Sequence, residues 1–242
     1  MFSRNRRRTN ARTQSTESLE SRELLSATAV VVNGTLVIQG TNAADLITVT
    51  TRTNGETTVE DYGRSIGAFS TSRIHSIDAQ LNSGNDSIKL DVNRADYGFI
   101  SLNMGNGNGR ESIEFSGRQV GTMKINSEIA SGMLARLHST KFSTIECRCG
   151  DDSAADTLSL HNNCTVDRLF ARMGDGRDTL NIPNRTVVRD ADVDLGKGDD
   201  YCFIAPTSRV SGTIRGGDGI DTISADSAAR QRARLLRFER NS

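Results

Sequence analysis

One turn recurs along this chain, and its spacing constrains the fold more than any other feature. Segments reading apolar–turn–acid–x–apolar–x–apolar occur as GTNAADLITV, LNSGNDSIKL, MGNGNGRESIEF, CGDDSAADTLSL, MGDGRDTLNI, LGKGDDYCFI and GGDGIDTISA. Their acidic anchors are Asp45, Asp86, Glu111, Asp156, Asp178, Asp200 and Asp221, separated by 41, 25, 45, 22, 22 and 21 residues. The two long intervals are close to twice the short ones, as if a weaker copy had been passed over in each. Two residues beyond the anchors stand Ile47, Ile88, Ile113, Leu158, Leu180, Cys202 and Ile223. Four beyond stand Val49, Leu90, Phe115, Leu160, Ile182, Ile204 and Ala225. Alternation of this kind puts both columns on the inward face of a strand.

Further short apolar stretches precede each turn, as in Val193–Leu195 and Thr186–Val188. Three short strands in about 22 residues make one coil of a parallel β-helix, each coil hydrogen-bonding to the next at about 4.8 Å. The expected fold is therefore all-β: a single parallel β-helix over residues 29–227, of roughly nine coils. The interval between Asp45 and Asp86 contains Thr53-Asn54-Gly55 and Asp61-Tyr62-Gly63 and admits a hairpin detour. An up-and-down sandwich is the alternative, disfavoured by the constant period and the single turn signature.

Charge supports this division. The 30 basic and 30 acidic side chains cancel, but residues 1–26 carry +3, residues 228–242 carry +4, and the body between them −7. Asp outnumbers Glu 20 to 10, which assigns the acids to turns rather than helices. An acidic body argues against nucleic acid, which needs Lys and Arg along the bound face. The longest apolar run, Ala29 to Val32, is far short of the roughly 20 residues of a spanning helix. The flanks read as a disordered basic arm over 1–28 and a basic C-terminal capping helix over 228–242, whose Leu235, Leu236 and Phe238 cover the open end of the coil stack. Binding of an acidic glycan or a membrane is the other reading of that basic tail. Cys147 and Cys149 share a strand face and read as core; a Cys149–Cys164 disulfide is left open.

The turn Gly216-Gly217-Asp218-Gly219-Ile220-Asp221-Thr222-Ile223-Ser224 fits the nonapeptide GGxGxDxUx, and here the chain resembles the RTX, or haemolysin-type, calcium-binding repeats. Gly174, Gly176, Asp178 and Leu180 keep that pattern, as do Gly196, Gly198 and Asp200. The resemblance implies Ca²⁺ shared between turns of adjacent coils, with Asp178, Asp200 and Asp221 as the main ligands and Asp175, Asp199 and Asp218 in the same turns. Family repeats give 18 residues per coil where this chain uses about 22, so the turn is kept while the geometry between turns differs. Without calcium, the same aspartates cap tight turns through bonds to backbone N–H groups.

Residues 19–27, LESRELLSA, resemble the LEPR-XLL motif of planctomycete proteins, with Ser21 where the motif has Pro. That likeness implies an exported or surface-associated protein, although no apolar core of an ordinary signal peptide follows the arginines; a basic arm on a cytoplasmic protein is the alternative. His75, His138 and His161 occupy unrelated positions in the repeat, and no GxSxG, HExxH or P-loop sequence is present. The expected function is a non-catalytic structural or adhesive β-helix outside the cell or at its surface, with Ca²⁺ and surface polysaccharide or other surface proteins as partners. A polysaccharide lyase or hydrolase on the same fold is the alternative.

Overall fold

In the computed structural model of the chain, residues 26–241 are described except 108, 128–131 and 152. The basic arm expected over 1–28 thus lies almost wholly outside the described residues, and Thr28 already opens the first strand. The strands are β1 (Thr28–Val32), β2 (Thr35–Gln39), β3 (Leu46–Thr51), β4 (Glu56–Asp61), β5 (Arg64–Ser70), β6 (Ser76–Gln80), β7 (Ser87–Asn103), β8 (Glu111–Asn126), β9 (Met133–His138) and β10 (Lys141–Arg148). They continue as β11 (Thr157–His161), β12 (Thr165–Arg172), β13 (Thr179–Ile182), β14 (Val187–Lys197), β15 (Tyr201–Ile204), β16 (Arg209–Asp218) and β17 (Thr222–Ala225). After a short helix α1 (Ser227–Arg232) come β18 (Ala233–Leu236) and β19 (Arg240–Asn241).

From β6 onward the pairing is parallel and joins each coil to the next, for example β12 to β14 and β14 to β16. The result is a β-solenoid of about seven turns, each about 22 residues after the last. The two columns beyond the anchors stack in register: Leu158 lies on Leu180, Leu180 on Cys202 and Cys202 on Ile223. Nearly all of their members are fully buried. A third set of inward residues, Ile145, Leu169 and Ala191, stacks on the facing sheet. The second and third strands of a coil run together as one bent strand, and the bend in β14 carries a register shift between Val188 and Ala191 where it meets β16.

The nine coils expected from length become about seven, and one of the two long intervals holds no second coil. The 41-residue interval is a single coil with an insertion, because β2 pairs directly with β6 and β3 with β7. The inserted β4 and β5 form an antiparallel hairpin laid on β3, while β1 folds back antiparallel on β2 through the Asn33-Gly34 turn, both at positive φ. Both N-terminal strand edges of the solenoid are covered in this way, which removes a pairing surface that parallel coils would leave open. The 45-residue interval does hold one skipped coil: β9 stands between β8 and β11, with Met133 in the anchor column.

The C-terminal helix expected over 228–242 is corrected. Helix occupies only Ser227–Arg232, and the chain then returns to strand, with Ala233 and Leu235 on Gly212 and Ile214. Ala233 and Leu235 alternate inward, so another partial coil satisfies the strand edges below it, which a helix cannot do. Leu235 and Phe238 do pack against the core.

Candidate functional site

Each anchor stands at the entry to a strand with its side chain turned into the corner of the coil. In Asp86, Asp156, Asp178, Asp200 and Asp221 the carboxylate accepts a hydrogen bond from the backbone N–H at the anchor position one coil earlier, whereas Asp45 accepts from Thr41 N–H in its own turn. Asp86 Oδ1 is 2.9 Å from Asp45 N, Asp156 Oδ1 2.6 Å from Met133 N, and Asp178 Oδ1 2.8 Å from Asp156 N. The series continues with Asp200 Oδ1 2.7 Å from Asp178 N and Asp221 Oδ1 2.9 Å from Asp200 N. Glu239 Oε2, 2.8 Å from Asp221 N, forms the last rung. Glu111 Oε2 instead accepts from the Ser127 hydroxyl at 2.8 Å. A strand-entry N–H has no partner within its own coil, and a short acid is the side chain that reaches it from the next one.

The electrostatics of this ladder are unfavourable to charge. Asp86, Asp200 and Asp221 are buried, and the Oδ2 of each has no hydrogen-bond partner among the described residues. Burial pushes the carboxyl groups of Asp86 and Asp200 up to about 6, against the pull of the backbone hydrogen bonds. Burial also raises Asp45 and Asp221, the latter with help from Glu239, Asp199 and Asp218.

The six carboxylates singled out by the calcium-repeat resemblance divide into two environments. Asp178, Asp200 and Asp221 stand on consecutive rungs of the inner ladder. Asp175, Asp199 and Asp218 belong to the outer turn and are separately engaged: Asp175 with Lys197 Nζ at 2.9 Å, Asp199 with the Ile220 N–H at 3.0 Å, and Asp218 with Arg237 at 2.9 Å. Among the described residues no three His, Cys, Asp or Glu side chains converge as a metal-holding group. The glycines between the two sets have a packing cause. Gly196 and Gly198 adopt positive φ, and a Cβ on them would lie 1.7 Å and 1.5 Å from the carbonyl oxygens of Gly174 and Gly176 in the preceding coil. Only glycine lets consecutive turns approach so closely.

No family model matches the chain, and no curated protein or solved structure matches it.

A second buried polar column was not anticipated. Thr140 donates to the carbonyls of Gly117 and His138, Cys164 to those of Leu137 and His161, Thr186 to that of Leu160, and Ser208 to that of Pro183. The 22-residue spacing of Thr186 and Ser208 was the available signal, but hydroxyls are common in any turn. All four cysteines are free, so the Cys149–Cys164 bridge does not form. Of the histidines, His138 and His161 stack with ring centroids 4.9 Å apart. Burial and the proximity of His138 and Arg136 push the His161 imidazole down.

On the surface, an open groove of about 410 Å³ runs along the glycine corners between Asp151, Arg172, Asp175, Asp194, Lys197 and Arg237. Ion pairs run from coil to coil, including Lys89–Glu114, Arg118–Asp96 and Lys124–Glu146. These are exposed and individually weak. Arg172 and Arg215 both pair with Asp192, and Arg172 also lies 4.1 Å from the Phe170 ring centroid.

Proposed function

We propose that the chain is a non-catalytic β-solenoid serving as a structural or adhesive module at or outside the cell surface. The observation that supports this best is the bonding of its corners from coil to coil. From Asp156 to Glu239 the acid column is continuous, with the Thr140–Ser208 column at another corner. Such a rod resists bending and offers a repeating charged face. The groove along the glycine corners is shallow, and the acids Asp175 and Asp218 on its walls are already paired with Lys197 and Arg237. That arrangement suits adsorption to a charged surface polysaccharide or protein better than the acid–base pair a lyase or hydrolase requires. No helix among the described residues is long and apolar enough to cross a membrane. Export belongs to the proposal and rests on the likeness of residues 19–27 to LEPR-XLL. Incubation with a broad polysaccharide panel is expected to give retention without new reducing ends or unsaturated products, and an antibody is expected to find the protein in the envelope or medium. Turnover of any member, or a wholly cytosolic signal, would overturn the reading.

Calcium enters the proposal in a narrower form than the turn motif implies. Its support is the pair of buried Oδ2 atoms of Asp200 and Asp221 on adjacent coils, neither with a hydrogen-bond partner among the described residues. A hard dication there offsets the repulsion between carboxylates that burial makes costly. Titration calorimetry at pH 7.5 with millimolar CaCl₂ is expected to show a binding heat and a rise in Tm, both absent in Asp200→Asn. The absence of heat and of any Tm change in the unaltered protein would remove calcium from the account.

A further inference from the structure

The coil that lacks an acid anchor differs from its neighbours at a second position, and both differences bring in sulfur. In the preceding coil the anchor is Glu111, and its carboxylate meets the hydroxyl of Ser127, sixteen residues on. In the next coil the same two positions are Met133 and Cys149. Two hard oxygen donors that face each other across a corner are thus exchanged together for two soft ones.

Two more sulfur atoms adjoin this corner. Cys147 is fully buried at the end of β10, and Cys149, half-buried just past it, is two residues on and so turns to the same face. The pairing of Arg148 with Arg172, and the 2.9 Å bond from Cys149 N–H to Arg172 O, set Met173 on Cys149 in the following coil. Met133 and Met173 are both buried. Met173 also lines the open groove beside Gly174, which gives this corner a route to solvent.

We infer that this corner binds a soft d¹⁰ cation of the Cu(I) class, held by the thiolates of Cys147 and Cys149 with the thioethers of Met133 and Met173 as flanking donors. Thiolate and thioether sulfur select Cu(I) over the hard cations that the oxygen ladder favours. Two thiolates suffice for such an ion, so the lack of a three-membered His, Cys, Asp or Glu group among the described residues does not stand against it. Binding replaces two S–H protons with one cation: Cu⁺ and two thiols give a dithiolate complex and two released protons, with no change of oxidation state. The neighbouring Cys147, burial, and the charges of Asp156 and Asp178 all push the Cys149 thiol up. Cys164 and Cys202 are fully buried elsewhere, Cys202 in register between Leu180 and Ile223.

The test is anaerobic competition between the reduced full-length protein and bicinchoninate for Cu(I), followed by the colour of the bicinchoninate complex. One Cu(I) per chain is expected to transfer to the protein. Cys149→Ser, which copies the Ser127 of the preceding coil and so preserves the fold, is expected to weaken binding by about 100-fold, and Met173→Leu by about 10-fold. Cys202→Val is expected to bind as the unaltered chain does, and circular dichroism checks that each variant is folded. Failure of the unaltered protein to take Cu(I) from bicinchoninate, or equal uptake by folded Cys149→Ser, would overturn the assignment.

Discussion

Acidifying this protein from pH 7.5 to about 4.5 is expected to raise its Tm, by about 5 to 10 °C, where acid usually destabilises a folded chain. The cause is the buried ladder. In the folded state Asp86 and Asp200 titrate at about 6, above the ordinary value of 3.8, and Asp45 and Asp221 are shifted in the same direction. A carboxyl group whose folded pKa lies above its unfolded one binds its proton more tightly in the native state. Its contribution to stability is complete below the unfolded pKa and is lost as the pH rises through the folded value. For Asp86 and Asp200 the window therefore runs from about pH 4 to about pH 7. Each pKa unit corresponds to about 1.4 kcal/mol, and with the corner's partial solvation the pair contributes about 2 to 4 kcal/mol.

Opposing groups are fewer in that window. His161 is pushed down, so its protonation on acidification costs stability, beginning near 6.5. Asp96 and Asp192 are held low by Arg118 and by Arg172 and Arg215, and their contribution is lost only below the ordinary carboxylate range. Stability is thus expected to peak near pH 4.5 and to fall on both sides. Thermal melts at half-unit pH intervals provide the check, with Asp86→Ala and Asp200→Ala each expected to flatten the slope between pH 5 and 7. A Tm that falls steadily from pH 7.5 to 4.5 would mean that these carboxylates are ionised in the folded state without cost.

How much of this was legible beforehand depended on how strictly stacking constrains each position. The columns of Ile88, Ile113, Leu158 and Leu180 were plain, because a residue repeated in register must suit the same slot each time. The fold class followed from them. The coil count did not, since a search on acids passes over Met133, and a hairpin inserted at β4 and β5 imitates the length of another coil. At the C-terminus, the cap signal Asp226-Ser227 and the good helix formers after it read as helix, and the short alternation of Ala233 and Leu235 is too brief to outweigh them. What decides there is the open edge of β16, a partner that only the folded chain supplies. The aspartates were recognised as special, but their direction was hidden. Sequence spacing alone does not tell an acid that faces solvent and a cation from one that reaches back to an amide in the coil below, and Asp218 and Asp221 do one each.

The glycines of the same turn separate the two explanations of the motif most sharply. If they were retained only to expose carbonyls to a cation, replacement would matter only when the cation is bound. The structure gives them a different duty, which holds at all times. At Gly198, φ is +135°, a region that L side chains rarely adopt, and a Cβ would stand 1.5 Å from Gly176 O and 2.7 Å from its carbonyl carbon. No flexible side chain is available to yield, because the obstacle is the backbone of the preceding coil. That coil is fixed in turn by the bond from Gly176 N to Lys197 O at 2.7 Å and by Asp178 N to Asp200 Oδ1. Gly198→Ala must therefore force adjacent coils apart, rupture the adjoining rungs of the ladder, or both. The expected loss is about 4 kcal/mol or more, among the largest available to a single substitution. An alanine at Gly63, whose φ is +72° and whose Cβ would meet nothing within 4 Å, strains the backbone alone and is expected to cost about 1 kcal/mol. Urea denaturation of both variants, with and without EDTA, measures the contrast. The packing cause predicts the same large deficit for Gly198→Ala in either condition; a deficit that vanishes in EDTA would return the glycines to the service of a bound cation.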